Sequence, residues 1–155
     1  VLRYYLLRHM NSFEDSDMTI ETIKEAYQSG LANGLGNLSS RVLTLAEKYL
    51  PECPPIPEKS IPQEFFDLLE TFDIQAATNY VWNEVQELDK YIQSTEAFKV
   101  IKLDDAKGKK LITEYVLRLY TIARMLNPLM PTTNELLKRL IRENKKPSAP
   151  LFARL

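Results

Sequence analysis

The chain has 155 residues, 45% hydrophobic and 26% charged, with 20 Lys and Arg against 21 Asp and Glu, the profile of one ordinary soluble globular domain able to bury a core. No apolar run approaches the ~18 residues of a membrane span, and no signal-peptide pattern opens the sequence. A single cysteine, Cys53, and a single histidine, His9, exclude a disulfide framework and a Cys/His zinc cluster; they fit a compartment that is reducing or indifferent, with the cytoplasm as the expectation.

In chain order, "VLRYYLLRH" reads as a helix already under way, with no initiator Met, as expected of a piece excised from a longer protein. The polar loop "NSFEDSD" ends it. Thr19 is positioned to cap a long helical segment reaching to about Leu50, with a bend expected among Gly30, Gly34 and Gly36. "PECPPIPEKSIP" then places five prolines in twelve residues and reads as an extended crossover over 51–62. A helix is predicted near 63–70. Asp73 is placed to cap the next, which carries Ala77, Val81, Val85 and Leu88 on one face. Two further helices, "KKLITEYVLRLYTIARML" and "NELLKRLIREN", flank "NPLMP", and Thr132 with Glu135 three residues on matches a capping box. No strand alternation or internal repeat interrupts this pattern. The expectation is an all-α fold, a helical bundle of about five main helices.

Catalytic chemistry is sparse. The glycines at 30, 34 and 36 interrupt a helix and follow no strand, so they are not a phosphate loop. "EDSD" at 14–17 offers three carboxylates, but no Glu follows at calcium-loop spacing, and a solvated helix-entry loop accounts for it. His9 has no neighbouring Ser, Cys or Asp that would suggest a triad, and Cys53 lies between prolines with no adjacent cation to activate it.

Binding surfaces are better represented. In "LANGLGNLSSRVLTL", Asn33, Asn37 and Arg41 fall four residues apart, which on a helix makes one polar stripe. The three glycines nearby each cost about 1 kcal/mol relative to alanine. In "YIQSTEAFKVIK", Phe98 leaves a helix end beside Lys99 and Lys102. An aromatic beside cations has the composition of a base-stacking platform; equally, Phe98 with Val100 and Ile101 would close a core. Trp82, Tyr80 and Tyr91 read as core, as do Tyr115, Leu119 and Ile122. Charge is uneven: residues 1–98 hold 7 basic and 16 acidic side chains, net −9, whereas 99–155 hold 13 and 5, net +8. The basic third either faces a polyanion or solvates the outer faces of the last helices.

Taken in order, "LRYYLLR", "DSDMTIE", "LANGLGNLSSRVLTL", "KYIQSTEAFKVIK", "LNPLMP" and "PLFARL" resemble the methionyl-tRNA synthetases, a class I synthetase family, over essentially the whole chain. The matching part is the end of the catalytic half and the helical anticodon-binding domain, and "GNL..R" distinguishes this family from its isoleucyl, valyl and leucyl relatives. The resemblance implies that Asn37 and Arg41 contact the anticodon CAU and that Phe98 stacks on an unstacked anticodon base. Asn33, Asp89, Lys99 and Lys102 become secondary RNA contacts. Three positions depart from the family pattern: Phe98 and Ala97 stand where the family has Trp and Pro, and Asp89 where it has Asn.

The domain reading that follows has three parts: 1–18 as the end of the catalytic-half connection, 19–143 as the anticodon-binding domain, and 144–155 as an extended tail. The resemblance further implies tRNA and the catalytic domain of the same chain as partners, with no membrane. The whole enzyme would join methionine to its tRNA using ATP and Mg. This chain lacks the family's "HIGH" and "KMSKS" signatures, so it is expected to bind no cofactor and to be inert alone. The alternatives are the corresponding domain of a sister class I synthetase (Ile, Val, Leu or Cys), or a helical protein-interaction module.

Overall fold

The structure, a computed structural model, describes residues 1–10 and 18–154. Residues 11–17, which hold the acidic stretch "EDSD" expected as a helix-entry loop, lie outside the described residues. Among the described residues the fold is all-helical, with no strand. The helices are α1 (Leu2–His9), α2 (Ile20–Ala26), a π-helical segment (Tyr27–Gly36), α3 (Asn37–Tyr49), α4 (Gln63–Glu70), α5 (Ile74–Thr95), α6 (Ala97–Val100), α7 (Asp105–Met125) and α8 (Pro131–Arg142). The α2–π–α3 rod, α5, α7 and α8 are the long members, and α1, α4 and α6 are short props against them.

The caps explain where several helices begin. Thr19 accepts from the Thr22 backbone while Thr22 accepts from Thr19, a reciprocal box that opens α2. Asp73 and Asp104 cap α5 and α7 through the amides of Ala76 and Lys107. The box expected at Thr132 and Glu135 does not form. Helix α8 starts two residues earlier, with Pro131 in its first turn and Met130 as an N-cap without a side-chain bond. A proline there loses nothing, because its missing N–H would be an orphan donor anyway. Thr132 is therefore already inside the helix.

Helix α7 is the hub, packing against α3, α5, α6 and α8. Tyr115, Leu119, Ile122 and Met125 are fully buried along it, which is why its sequence is apolar on more than one face. Ala77, Val81, Val85 and Leu88 of α5 are buried as their spacing predicts, and Trp82 with them. Tyr80 and Tyr91 are half-buried at the margin. The proline-rich crossover runs extended over the surface and is held by Arg124, which donates to the carbonyls of Pro57 and Glu58 and to Ser60 Oγ.

Among the glycines, where a bend is expected, the helix changes type. From Tyr27 to Gly36 the backbone is π-helical, and the Asn37 amide still donates to Ala32 O, five residues back. One cause is close packing. A Cβ on Gly30 would lie 1.8 Å from Tyr4 Oη, and the bare Gly30 carbonyl accepts from Trp82 Nε1 at 3.1 Å. Glycine at 30 lets α1 and α5 reach the rod together.

Candidate nucleic-acid interface

The π-to-α change falls at the polar stripe and alters it. Asn33 lies in the π segment, Asn37 at the junction and Arg41 one turn into α3. All three are exposed, while Leu35 and Leu38 between them and Val42 just beyond are buried. The stripe does not converge on one spot. Arg41 lines an open pocket of about 370 Å³ with Ser40, Thr44, Leu45, Ile92 and Phe98. Asn33 lines a neighbouring one of about 230 Å³ with Gln86, Asp89 and Lys90.

Phe98 reaches the first pocket through a sharp chain reversal. Helix α5 ends at Thr95, Glu96 adopts a left-handed conformation (φ 42°, ψ 50°), and α6 begins at Ala97. Tyr115 supports the turn from beneath through a hydrogen bond with Thr95 Oγ1, and the Ala97 amide points to the same hydroxyl at 3.4 Å. Beyond the turn, Ile101 packs directly on Gly108, where a Cβ would come within 2.4 Å of its backbone. Ala97 and Ile101 take up the buried face of this short element, and Phe98 is left 42% exposed. The core-closing alternative for Phe98 is thus not what the fold adopts. Ala97, fully buried, occupies the core position instead.

Charges surround the pocket in pairs. Arg41 is bonded to Asp89, Lys99 to Glu96 at 2.7 Å and Lys90 to Glu87 at 2.7 Å. The hydrogen bond and charge of Lys90 hold the Glu87 carboxyl below its ordinary pKa. Lys99 also stands 5.7 Å from the centre of the Phe98 ring, and Lys102 is exposed one turn further on. Tyr91 donates to Glu114 at 2.9 Å, and burial, then that hydrogen bond, raises its phenol pKa.

Of the residues expected from sequence, Arg41 and Phe98 line the first pocket and Asn33 and Asp89 the second, whereas Asn37, Lys99 and Lys102 line neither; Ser40, Thr44, Leu45 and Ile92 were not expected as pocket walls. A signal was present for two of these: Ser40 and Thr44 lie three and seven residues after Asn37, on the same helix face. Nothing in the local sequence pointed to Tyr115 or Gly108, which act from α7.

Elsewhere the chemistry stays quiet. Burial raises the Cys53 thiol pKa, partly offset by the charge of Arg142, so it is not an activated thiolate. Among the described residues, no group of three or more His, Cys, Asp or Glu is arranged to hold a metal, and no helix is long and apolar enough to cross a membrane.

Residues 1–43 match the family described as tRNA synthetases class I (M). Methionine–tRNA ligases of Clostridium acetobutylicum and Fusobacterium nucleatum are 28% and 31% identical over 88% and 83% of this chain. That of Thermotoga maritima is 26% identical over 96%. The chain spans about a quarter of the length of these curated relatives, 23–26%. In fold it is similar to free-state methionyl-tRNA synthetase of Mycobacterium tuberculosis, with a TM-score of 0.80 at 18% identity over 99% of this chain and 38% of that one. The methionyl-adenylate complex of the same enzyme gives 0.73 at 20% identity, covering 99% and 37%.

Proposed function

The chain belongs to the methionyl-tRNA synthetase family, and from that premise we propose that its α3–α5–α6 face recognises the anticodon loop of the methionine tRNA, CAU. The observation that carries this reading is Phe98. A large aromatic ring stands partly exposed in the lining of a pocket that Arg41 also lines. Bases of a single-stranded loop expose their faces and Watson–Crick edges, and an aromatic face with a nearby fork of N–H donors can take both.

In this reading Phe98 stacks on one anticodon base and Arg41 donates to its edge or to an adjoining phosphate. Asn37, which carries both a donor and an acceptor, reads a neighbouring base from one turn away. Asn33, Asp89, Lys99 and Lys102 make secondary contacts. Rigid helices hold these groups apart more reliably than a loop would.

The whole protein would attach methionine to its tRNA in the cytoplasm with ATP and Mg, using catalytic signatures absent from this chain. Residues 1–18 would lead from the catalytic half, 19–143 form the anticodon-binding domain and 144–155 its tail. Val1, Leu2 and Leu6, exposed on α1, suit a partner surface on the catalytic domain of the same chain.

Titration of a CAU anticodon stem-loop against variants tests the proposal. Arg41→Ala and Phe98→Leu are each expected to weaken binding by about 1–3 kcal/mol, with melting temperature nearly unchanged because both side chains are exposed. Phe98→Trp should bind at least as tightly as the parent. Wild-type affinity in Phe98→Leu would remove the stacking role.

A further inference from the structure

The Arg41 guanidinium does not stand free at its pocket. Its Nη1 lies 2.5 Å from Asp89 Oδ1, across from α3 to α5. The second Asp89 oxygen accepts from Gln93 Nε2, one turn further along α5. With both oxygens engaged, the carboxylate is held in one orientation. The pair also marks the boundary between two sites: Arg41 lines the pocket of Phe98, and Asp89 lines the polar pocket with Asn33 and Lys90. The Phe98 pocket has no carboxylate in its wall, and its one cation already carries a counter-charge. The neighbouring cations Lys90 and Lys99 are paired likewise.

Stability does not explain this arrangement. The two side chains are 45% and 35% exposed, and exposed ion pairs contribute little to folding. Recognition does. A free arginine on a surface helix is drawn to any phosphate, and that attraction is blind to sequence. Base edges are neutral, and reading them depends on where the N–H donors point. A guanidinium has five donors, so one bond to Asp89 leaves several for a ligand.

Resting on the anticodon-loop reading, we infer that Asp89 is a specificity-determining residue that acts through Arg41. It cancels the net charge of the guanidinium and fixes its fork toward the base stacked on Phe98, so that Arg41 reads a base edge in preference to a phosphate.

The test compares binding of two RNA stem-loops, one with anticodon CAU and one with UAU, over a range of salt concentrations. The proteins are the parent chain, Asp89→Asn, Arg41→Ala and the double variant, each checked by circular dichroism melting. Asp89→Asn is expected to bind both loops several-fold more tightly at low salt and to discriminate several-fold less between them. Its log–log salt slope should be steeper by about 0.7, the value for one added phosphate contact on a single strand. In the Arg41→Ala background the same substitution should leave discrimination unchanged, because there is no guanidinium left to redirect. Unchanged slope and discrimination in Asp89→Asn, or equal weakening of both loops, would overturn the inference while leaving the anticodon reading intact. If Arg41→Ala binds CAU as tightly as the parent, the role of Arg41 fails, and that of Asp89 with it.

Discussion

The α2–π–α3 rod meets α5 at two places, and the two are built differently. At the Gly30 end, Trp82 is buried and donates to a backbone carbonyl, with Tyr4 packed against its ring at 4.6 Å and Arg8 over it at 5.2 Å. At the Arg41 end the contact is an exposed ion pair over an open pocket, with Phe98 at its edge. The same two elements thus form a sealed joint and an open one, about three helical turns apart. The difference lies in what fills the gap. A glycine lets side chains close the first, whereas a left-handed turn at Glu96 turns α6 away and leaves the second unfilled.

The largest effect is expected from filling the sealed joint. Gly30→Ala places a methyl against the Tyr4 ring and should destabilise by about 1–3 kcal/mol. In thermal melts that is a fall of roughly 2–4 °C per kcal/mol for a chain of this size. RNA affinity per folded molecule should hold. A loss of affinity without a fall in melting temperature would break the comparison.

A smaller effect, of opposite sign, is expected at the open joint. Glu96 adopts a conformation that costs a non-glycine residue roughly 1–2 kcal/mol, and its ion pair with Lys99 is exposed. Glu96→Gly relieves that strain at some cost in unfolded-state entropy, so stability should rise by about 1 kcal/mol or less. Denaturant titration checks it; a loss of stability would show that the Glu96 side chain, not the turn geometry, holds α6.

The smallest effect concerns pH at the sealed joint. Burial, then the charge of Arg8, lowers the pKa of His9, which stacks on Tyr5. The fold therefore favours neutral imidazole. Its contribution is present above about pH 6.5 and is lost as pH falls through the lowered native value, because the unfolded chain then binds the extra proton. Melting temperatures of His9→Gln and the parent should converge or cross as pH falls below about 6.5, with the parent falling faster. Parallel curves would mean that His9 titrates alike in both states.

Much of this molecule was legible without coordinates. Thr19 and Asp73 marked their helix starts, the prolines marked the crossover, and the spacing of Ala77, Val81, Val85 and Leu88 marked a buried face. Each is a local property, decided within a turn or two of backbone. The exception, Thr132, shows the limit of the same logic, since a proline at the first helical position won over a capping side chain. The site was legible as residue types more than as an arrangement. Asn33, Asn37 and Arg41 read as one stripe because a period of 3.6 was assumed, and the π register sends Asn33 to a different pocket from Arg41.

Sequence alone determined the all-helical class, the caps, the apolar faces and the residues that resemble the family motifs. The class, the caps and the apolar faces follow from periodicity and local hydrogen bonding, whereas the family resemblance rests on the ordered motifs themselves. Tertiary structure alone decided that Ala97 rather than Phe98 is buried, that Gly30 and Gly108 are contact points, and that Asp89 pairs with Arg41, 48 residues away. The physical reason is common to all three. Each depends on how closely two helices approach, and that distance is set by side chains remote in sequence.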